Sequence, residues 1–428
     1  MGREWNGERR FAGAKTIAAF ALLVVPLWSA GNAYSQEGND SGRQRGGSWA
    51  REHKIDPLTG KRLQKAREFL VEQQFDEADA TLDKLRVRSL NPIEKTTLYT
   101  IRGYVALGRE DLPAARDYFE QTIALGVLDA DKRADHRFMI AQMYMQQENW
   151  AQVIIHLNKW FTLEDNPNAN SYYFLALAHW QSEDTDSALE SVSKAVALSD
   201  EPQESWLQLL LATRLTRKEY KESIPVLDEL IRRYPKKIYW IQLSTVYGAL
   251  GDYEESLIPL QLAYTQSLLT EDSEIRRLAE LLLYLELPIR AAHVMNSGLD
   301  NQIVEEDSKY FELLSNSFIL AREYDKAVAP LMHAADLADG GRIYQRLAEV
   351  HIQRERWEEA AEALGLALEK GNLPEPGQAT LLMGIALYSQ KKPGEALTWF
   401  GKAKKFSETK HEAEVWLQHI QREMPEDS

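Results

Sequence analysis

The sequence contains no cysteine. That absence removes disulfides, thiolate metal sites, cysteine nucleophiles and a lipid-modified cysteine together. It leaves export open, because a chain without thiols never depends on oxidative folding. Strand signals are nearly missing as well, and no sheet is expected. No apolar run reaches the roughly twenty residues that a membrane-spanning helix needs. The motifs of common active sites are absent: there is no P-loop, no GxGxxG, no nucleophile elbow, no HExxH and no histidine pair at i, i+4. Positive charge is in deficit, with 50 lysines and arginines against 65 acidic residues and a net charge of −15. A body that acidic repels phosphate backbones, and no basic stripe relieves it, so nucleic acid is excluded as an expected partner and basic segments are favoured. Neither catalysis nor a metal or cofactor is expected.

What is present begins with a leader. Arg3, Arg9, Arg10 and Lys15 precede an apolar run from Thr16 to Trp28, TIAAFALLVVPLW, and small residues follow at Gly31 and Ala33. This three-part layout is that of a secretory signal, with cleavage after Ala33. The other reading is an uncleaved N-terminal anchor that tethers the protein to the inner membrane. Losing residues 1–33 removes four basic and two acidic side chains and takes the net charge from −15 to −17. Residues 34–58 are rich in Gly, Ser, Asn and charge without helical period, and read as a flexible tether.

Beyond the tether one pattern recurs ten times: a small residue, a second small residue twelve positions later, and a large apolar residue four further on. The first three units are Ala66, Ala78 and Leu82, then Gly103, Ala115 and Phe119, then Ala141, Val153 and Leu157. Ala176, Ala188 and Val192 follow, then Leu211, Ser223 and Leu227, where the first position is unexpectedly large. The later units are Ser244, Ser256 and Leu260, then Ala279, Ala291 and Met295, then Ser315, Ala327 and Leu331. Ala348, Ala360 and Leu364, then Gly384, Ala396 and Phe400 complete the set. Small residues belong where two helices cross closely, and the large residue fills the groove toward the next pair. Between the paired positions lie Gly or polar residues that end a first helix, as in Leu107-Gly108-Arg109-Glu110-Asp111 and Leu250-Gly251-Asp252-Tyr253.

The spacing and the run Trp240, Leu243, Ser244 and Tyr247, which matches W-x-x-L-G-x-x-Y with Ser for Gly, resemble the tetratricopeptide repeat. The resemblance implies an all-α, right-handed α-solenoid of about ten helical hairpins over residues 59–408, closed by a capping helix and tail over 409–428. In that helix Val415, Trp416 and Ile420 are expected to face inward. His179 and His351 fall at the family's tyrosine position and read as packed residues; His411 and His419, eight apart, are not expected to hold a metal. The resemblance also implies that residues three before and one after the first small position line the inner side. They include Tyr104, Phe138, Gln142, Tyr173 and Gln208 early in the chain, with Trp180 one turn beyond Leu177. Later come Ile241, Thr245, Arg276, Glu280, Glu312, Asn316, Gln345 and Glu349. An extended peptide groove is expected there, with Tyr104, Phe138, Tyr173 and Trp180 as aromatic anchors and Arg276, Asn316 and Gln345 holding a backbone or carboxylate. The competing reading is that these aromatics pack between neighbouring hairpins.

Leader, tether and cysteine-free array, with passages such as Arg102-Gly103-Tyr104-Val105-Ala106-Leu107 and Ile238-Tyr239-Trp240-Ile241-Gln242-Leu243, resemble exported tetratricopeptide proteins encoded with TonB–ExbB–ExbD systems in Gram-negative bacteria. That resemblance implies a periplasmic scaffold, an accessory of energy-transducing transport across the outer membrane, whose partner is an extended, basic peptide segment such as a TonB-type periplasmic region. The alternative is an envelope scaffold for cell-wall or exopolysaccharide assembly.

Overall fold

The computed structural model describes residues 55–423. The leader and all but the last residues of the tether lie outside them, and Pro57 and Leu58 already belong to the first helix, which Asp56 caps by accepting from the Leu58 and Thr59 amides at 3.0 Å each. Among the described residues there are 21 α-helices, one short 3₁₀ turn and no strand, in keeping with the all-α expectation.

The chain divides after Tyr234 into two compact units. The first holds five hairpins: α1 (Pro57–Val71) with α2 (Phe75–Leu82), α3 (Pro92–Gly108) with α4 (Leu112–Ala124), α5 (Ala130–Gln146) with α6 (Trp150–Phe161), α7 (Ala169–Gln181) with α8 (Thr185–Ala197), and α9 (Glu204–Thr216) with α10 (Tyr220–Arg233). The second holds five more: α11 (Lys237–Leu250) with α12 (Tyr253–Thr265), α13 (Asp272–Tyr284) with α14 (Pro288–Asp300), α15 (Ser308–Leu320) with α16 (Tyr324–Leu337), α17 (Arg342–Gln353) with α18 (Trp357–Lys370), and α19 (Pro376–Ser389) with α20 (Pro393–Ala403). It ends in α21 (Lys410–Glu423). Within each unit successive hairpins stack, which makes each an α-solenoid of helical pairs.

The small residues sit where the repeat pattern requires them. Both crossing positions are buried in every hairpin, from Ala66 and Ala78 at 0% exposure to Ala396 at 0%. Their sizes are matched to the large residue four beyond. The two hairpins with glycine at the first position, Gly103 and Gly384, are the two with phenylalanine at the third, Phe119 and Phe400. A Cβ added to either glycine would meet the facing ring at 2.7 Å. Elsewhere a serine, alanine or leucine faces a leucine, valine or methionine. In hairpin six the crossing is polar, and the Ser256 hydroxyl donates to the Ser244 carbonyl at 2.8 Å.

The turn inside each hairpin repeats as closely as the crossing. Seven residues after the first small position the backbone is left-handed in all ten hairpins, and only hairpin six places glycine there, Gly251 at φ 84°. The other nine use Gln73, Glu110, Glu148, Glu183, Lys218, Glu286, Arg322, Glu355 and Lys391, with φ between 55° and 63°. Each turn is closed by the amide of the following residue donating to a carbonyl five positions back, at 2.8–3.0 Å, the bond that satisfies the free carbonyls of a helix end. A side chain in this region costs about 1 kcal/mol relative to glycine.

The C-terminal helix covers the last hairpin with a face different from the expected one. Ala413 and Ile420 are fully buried, and the Trp416 ring stacks on Phe400 with centroids 5.4 Å apart and planes 2° apart. Val415 is 55% exposed and faces outward, which corrects its inward assignment. Residues 413, 416, 417 and 420 form one stripe of a 3.6-residue helix, and 415 falls across the axis from it.

Candidate functional site

The inner-side positions occur once per hairpin on the first helix, so they form rows across a unit and do not converge on one cavity. In the first unit the rows are aromatic, and the rings lean on one another. Tyr104 of α3 packs its edge against Phe119 of α4 at 5.2 Å. Phe138 of α5 lies 5.2 Å from Trp160 of α6 and 6.0 Å from Phe174 of α7. Tyr173 of α7 sits 6.1 Å from Trp206 of α9, and burial pushes its phenol pKa up. Tyr104, Phe138, Tyr173 and Trp180 are half-buried, as are Gln142 and Gln208, whose amide reaches Glu204 at 3.5 Å. Three of the four expected anchors therefore bridge helices within the unit and offer only part of their surface outward.

In the second unit the rows are charged or polar in hairpins seven to nine. Arg276 of α13 donates to Asp272 at 2.7 Å, to Asp307 at 3.2 Å and to the Glu305 carbonyl at 3.2 Å, and its guanidinium lies 4.7 Å over the Tyr310 ring. Its charge is thus held by the segment leading into the next hairpin. Gln345 of α17 reaches Glu349 at 3.3 Å. The buried Oδ1 of Asn316 on α15 has no hydrogen-bond partner.

Several groups on this face carry roles that sequence reading did not assign. Arg277 donates to the Thr245 hydroxyl of α11 at 2.7 Å. Glu312 of α15 accepts both guanidinium nitrogens of Arg342, at 2.9 and 2.8 Å, and Arg346 at 3.3 Å, which hold its carboxyl below the usual range. Glu280 and Glu349 are exposed and make no salt bridge. Although its surface is open, neighbouring atoms crowd the Glu280 carboxyl enough to push its pKa up. Glu280, Asn316 and Glu349 occupy the same position in three successive hairpins. Tyr284 and Leu320, one turn further along α13 and α15, are 52% and 64% exposed. The signal for this row was present in the sequence once the registers were aligned, as acidic and basic residues facing each other one repeat apart.

The two histidines at the family's tyrosine position are packed, while His293, His333, His411 and His419 are exposed. His351 is 6% exposed, and His179 Nδ1 lies 3.1 Å from Asp184. His156 of α6 is 4% exposed, beside the Glu120–Arg137 pair, and burial lowers its pKa to about 4. His419 meets the Tyr388 hydroxyl at 3.2 Å.

Sequence profiles described as tetratricopeptide repeat match residues 169–202 and 346–409. No curated protein matches the sequence. Among solved structures, the chain is similar to MamA (17% identity, 40% of this chain and 92% of that one, TM-score 0.34). It is also similar to YrrB, described as a TPR protein with an unusual peptide-binding site (14% identity, 46% of this chain and 97% of that one, TM-score 0.36). A third is Naa15/Naa10 bound to HypK-THB (12% identity, 77% of this chain and 61% of that one, TM-score 0.44).

Proposed function

We propose that this protein, a tetratricopeptide repeat chain in residues 169–202 and 346–409 and built from hairpins of that form, is a scaffold for protein partners whose second unit takes an extended basic segment on its first-helix face. One observation carries the reading. On that face the arginines are held by neighbouring hairpins, while two exposed carboxylates carry no salt bridge: Glu280, and Glu349, which accepts only the Gln345 amide. Carboxylates without a cationic partner select ammonium and guanidinium groups. Neighbouring helix axes lie roughly 8–10 Å apart, and an extended chain advances roughly 3.3 Å per residue. Two cations about six residues apart therefore reach Glu280 and Glu349 together, with the intervening residues against Tyr284 and Leu320.

The finer reading places the scaffold in the periplasm as an accessory of a TonB-type system. The signal-like leader and the overall layout support it, and the basic, proline-rich periplasmic stretch of TonB-type proteins has the chemistry these carboxylates would select. Two measurements test it. N-terminal sequencing of the protein from an envelope fraction should begin at Tyr34; an intact Met1 would remove the cleaved-export reading. Fluorescence anisotropy should show a labelled Lys/Pro-rich TonB-type peptide binding the full chain. Its affinity should drop about tenfold or more in the Glu280→Lys, Glu349→Lys variant, the loss expected for reversing charges that face a ligand. Unchanged affinity in that variant would sink the assignment of the face.

A further inference from the structure

The outer side of the second unit carries a cleft that the first-helix face does not use. It lies between α12 and α14, measures about 200 Å³, and is floored by Leu278 and Leu282 of α13 and by Val294 of α14. Leu278 and Leu282 are each two residues from Glu280, which puts them across the helix axis from it. The cleft and the Glu280 carboxylate therefore open on opposite sides of α13.

Two features distinguish this cleft from ordinary surface. The first is apolar exposure beside it. Ile258 and Leu262 of α12 are 59% and 42% exposed, on the same helical stripe as the lining residues Gln261 and Thr265, and Ile289 at the start of α14 is 38% exposed. The second is charge. The polar lining consists of Arg290, His293, Gln261 and the hydroxyls of Tyr264 and Thr265, with no carboxylate among the lining residues. In a chain of net charge −15, that is a local reversal. Arg290 donates to Gln261 across the rim and, with five N–H groups, keeps donors for a second acceptor.

We propose that this cleft docks a partner segment whose apolar side chain, of leucine to phenylalanine size, sits beside an aspartate or glutamate. A void of roughly 150 Å³ lined by leucine and similar residues accepts a benzene-sized group, and the carboxylate meets Arg290 and His293 at the rim. Because the two surfaces lie on opposite sides of α13, the unit can hold a basic segment and an acidic, apolar one at the same time. This site does not depend on the first-helix reading.

The test is selection of a random twelve-residue displayed peptide library on the immobilised full chain, followed by anisotropy with labelled copies of the enriched sequences. Enriched sequences should place Leu, Ile or Phe next to Asp or Glu. Their affinity should drop at least about tenfold in Arg290→Glu and in Leu262→Ser, and stay unchanged in Glu280→Lys, Glu349→Lys. Leu262 and Arg290 are exposed, so their substitution should leave the circular dichroism melt in place. No enrichment, enrichment of basic sequences, or equal affinity in Arg290→Glu overturns the proposal. Self-association of the wild type that disappears in Leu262→Ser also overturns it, by giving the cleft to a second copy.

Discussion

The first-helix rows of the two units share a register and differ in chemistry. In the first unit Phe138 and Tyr173 turn their rings into neighbouring hairpins, so the face that could bind also holds the stack together. In the second, Arg276, Arg277 and Glu312 join hairpins through directional contacts, and the exposed Glu280 and Glu349 carboxylates among them carry no salt bridge. Rings bridging hairpins bury apolar area and leave little polar surface to select a ligand. Paired ions contribute little net stability at an exposed face, but they fix which charges remain unpaired.

The largest effect that could break this comparison lies at the crossings, where the units are alike. Phe119→Ala in the first unit and Phe400→Ala in the second each empty the space opposite a glycine, and each should cost about 3–5 kcal/mol. Calorimetry should show the transition of the altered unit moving; a change in both transitions by equal amounts would mean the units unfold as one. Adding a methyl at Gly103 alone overpacks the same spot and should cost about 1–3 kcal/mol. Pairing it with Phe119→Leu recreates the crossing of hairpin one, Ala66 and Ala78 with Leu82, and should recover most of the loss.

Acid sharpens the difference next. His156 is neutral in the folded first unit, with a pKa of about 4 against an ordinary value near 6.5. Its stabilising contribution is complete above 6.5 and is lost as the pH falls from there toward 4, by about 3 kcal/mol in all. His136 in the same unit and His351 in the second shift in the same direction, again by burial. Hydrogen exchange should show α5 and α6 losing protection over this range, and His156→Gln should flatten the dependence. Equal pH slopes in wild type and variant would reject the assignment. The smallest effect is at the turns. Gly251→Ala should destabilise the second unit by about 1 kcal/mol, and Glu148→Gly should stabilise the first by up to about that amount, both read from urea melts.

The hairpins, their crossings and their order were legible in the sequence because burial of a small residue leaves a fixed interval behind it. The turns were legible as breaks but not in conformation: nine of the ten left-handed residues are long and polar, and only Gly251 announces its geometry. The aromatic row was placed on its helices, and packing between hairpins stood as the competing reading, but periodicity names a face and not the neighbour it meets, so the particular partners Phe174 and Trp206 could not be read. Arg276 looked like a free ligand although Asp272 stands four residues before it on the same helix; its second acceptor, Asp307, lies a full repeat away. Val415 was expected inward with Trp416 and Ile420, but it lies off the helical stripe that carries Ala413, Trp416 and Ile420 and is exposed.

The matching of Gly103 to Phe119 and of Gly384 to Phe400 bears on how such a chain can lengthen or be rearranged. A recombination joint falling within a hairpin would set a phenylalanine against alanine, or a glycine against valine, and leave a collision or a void. A joint between hairpins keeps each matched set whole. Ancestral duplication should therefore have copied complete pairs, and chimaeras spliced at the linkers before Asn91 or Glu375 should fold where those cut at Glu110 or Lys391 fail.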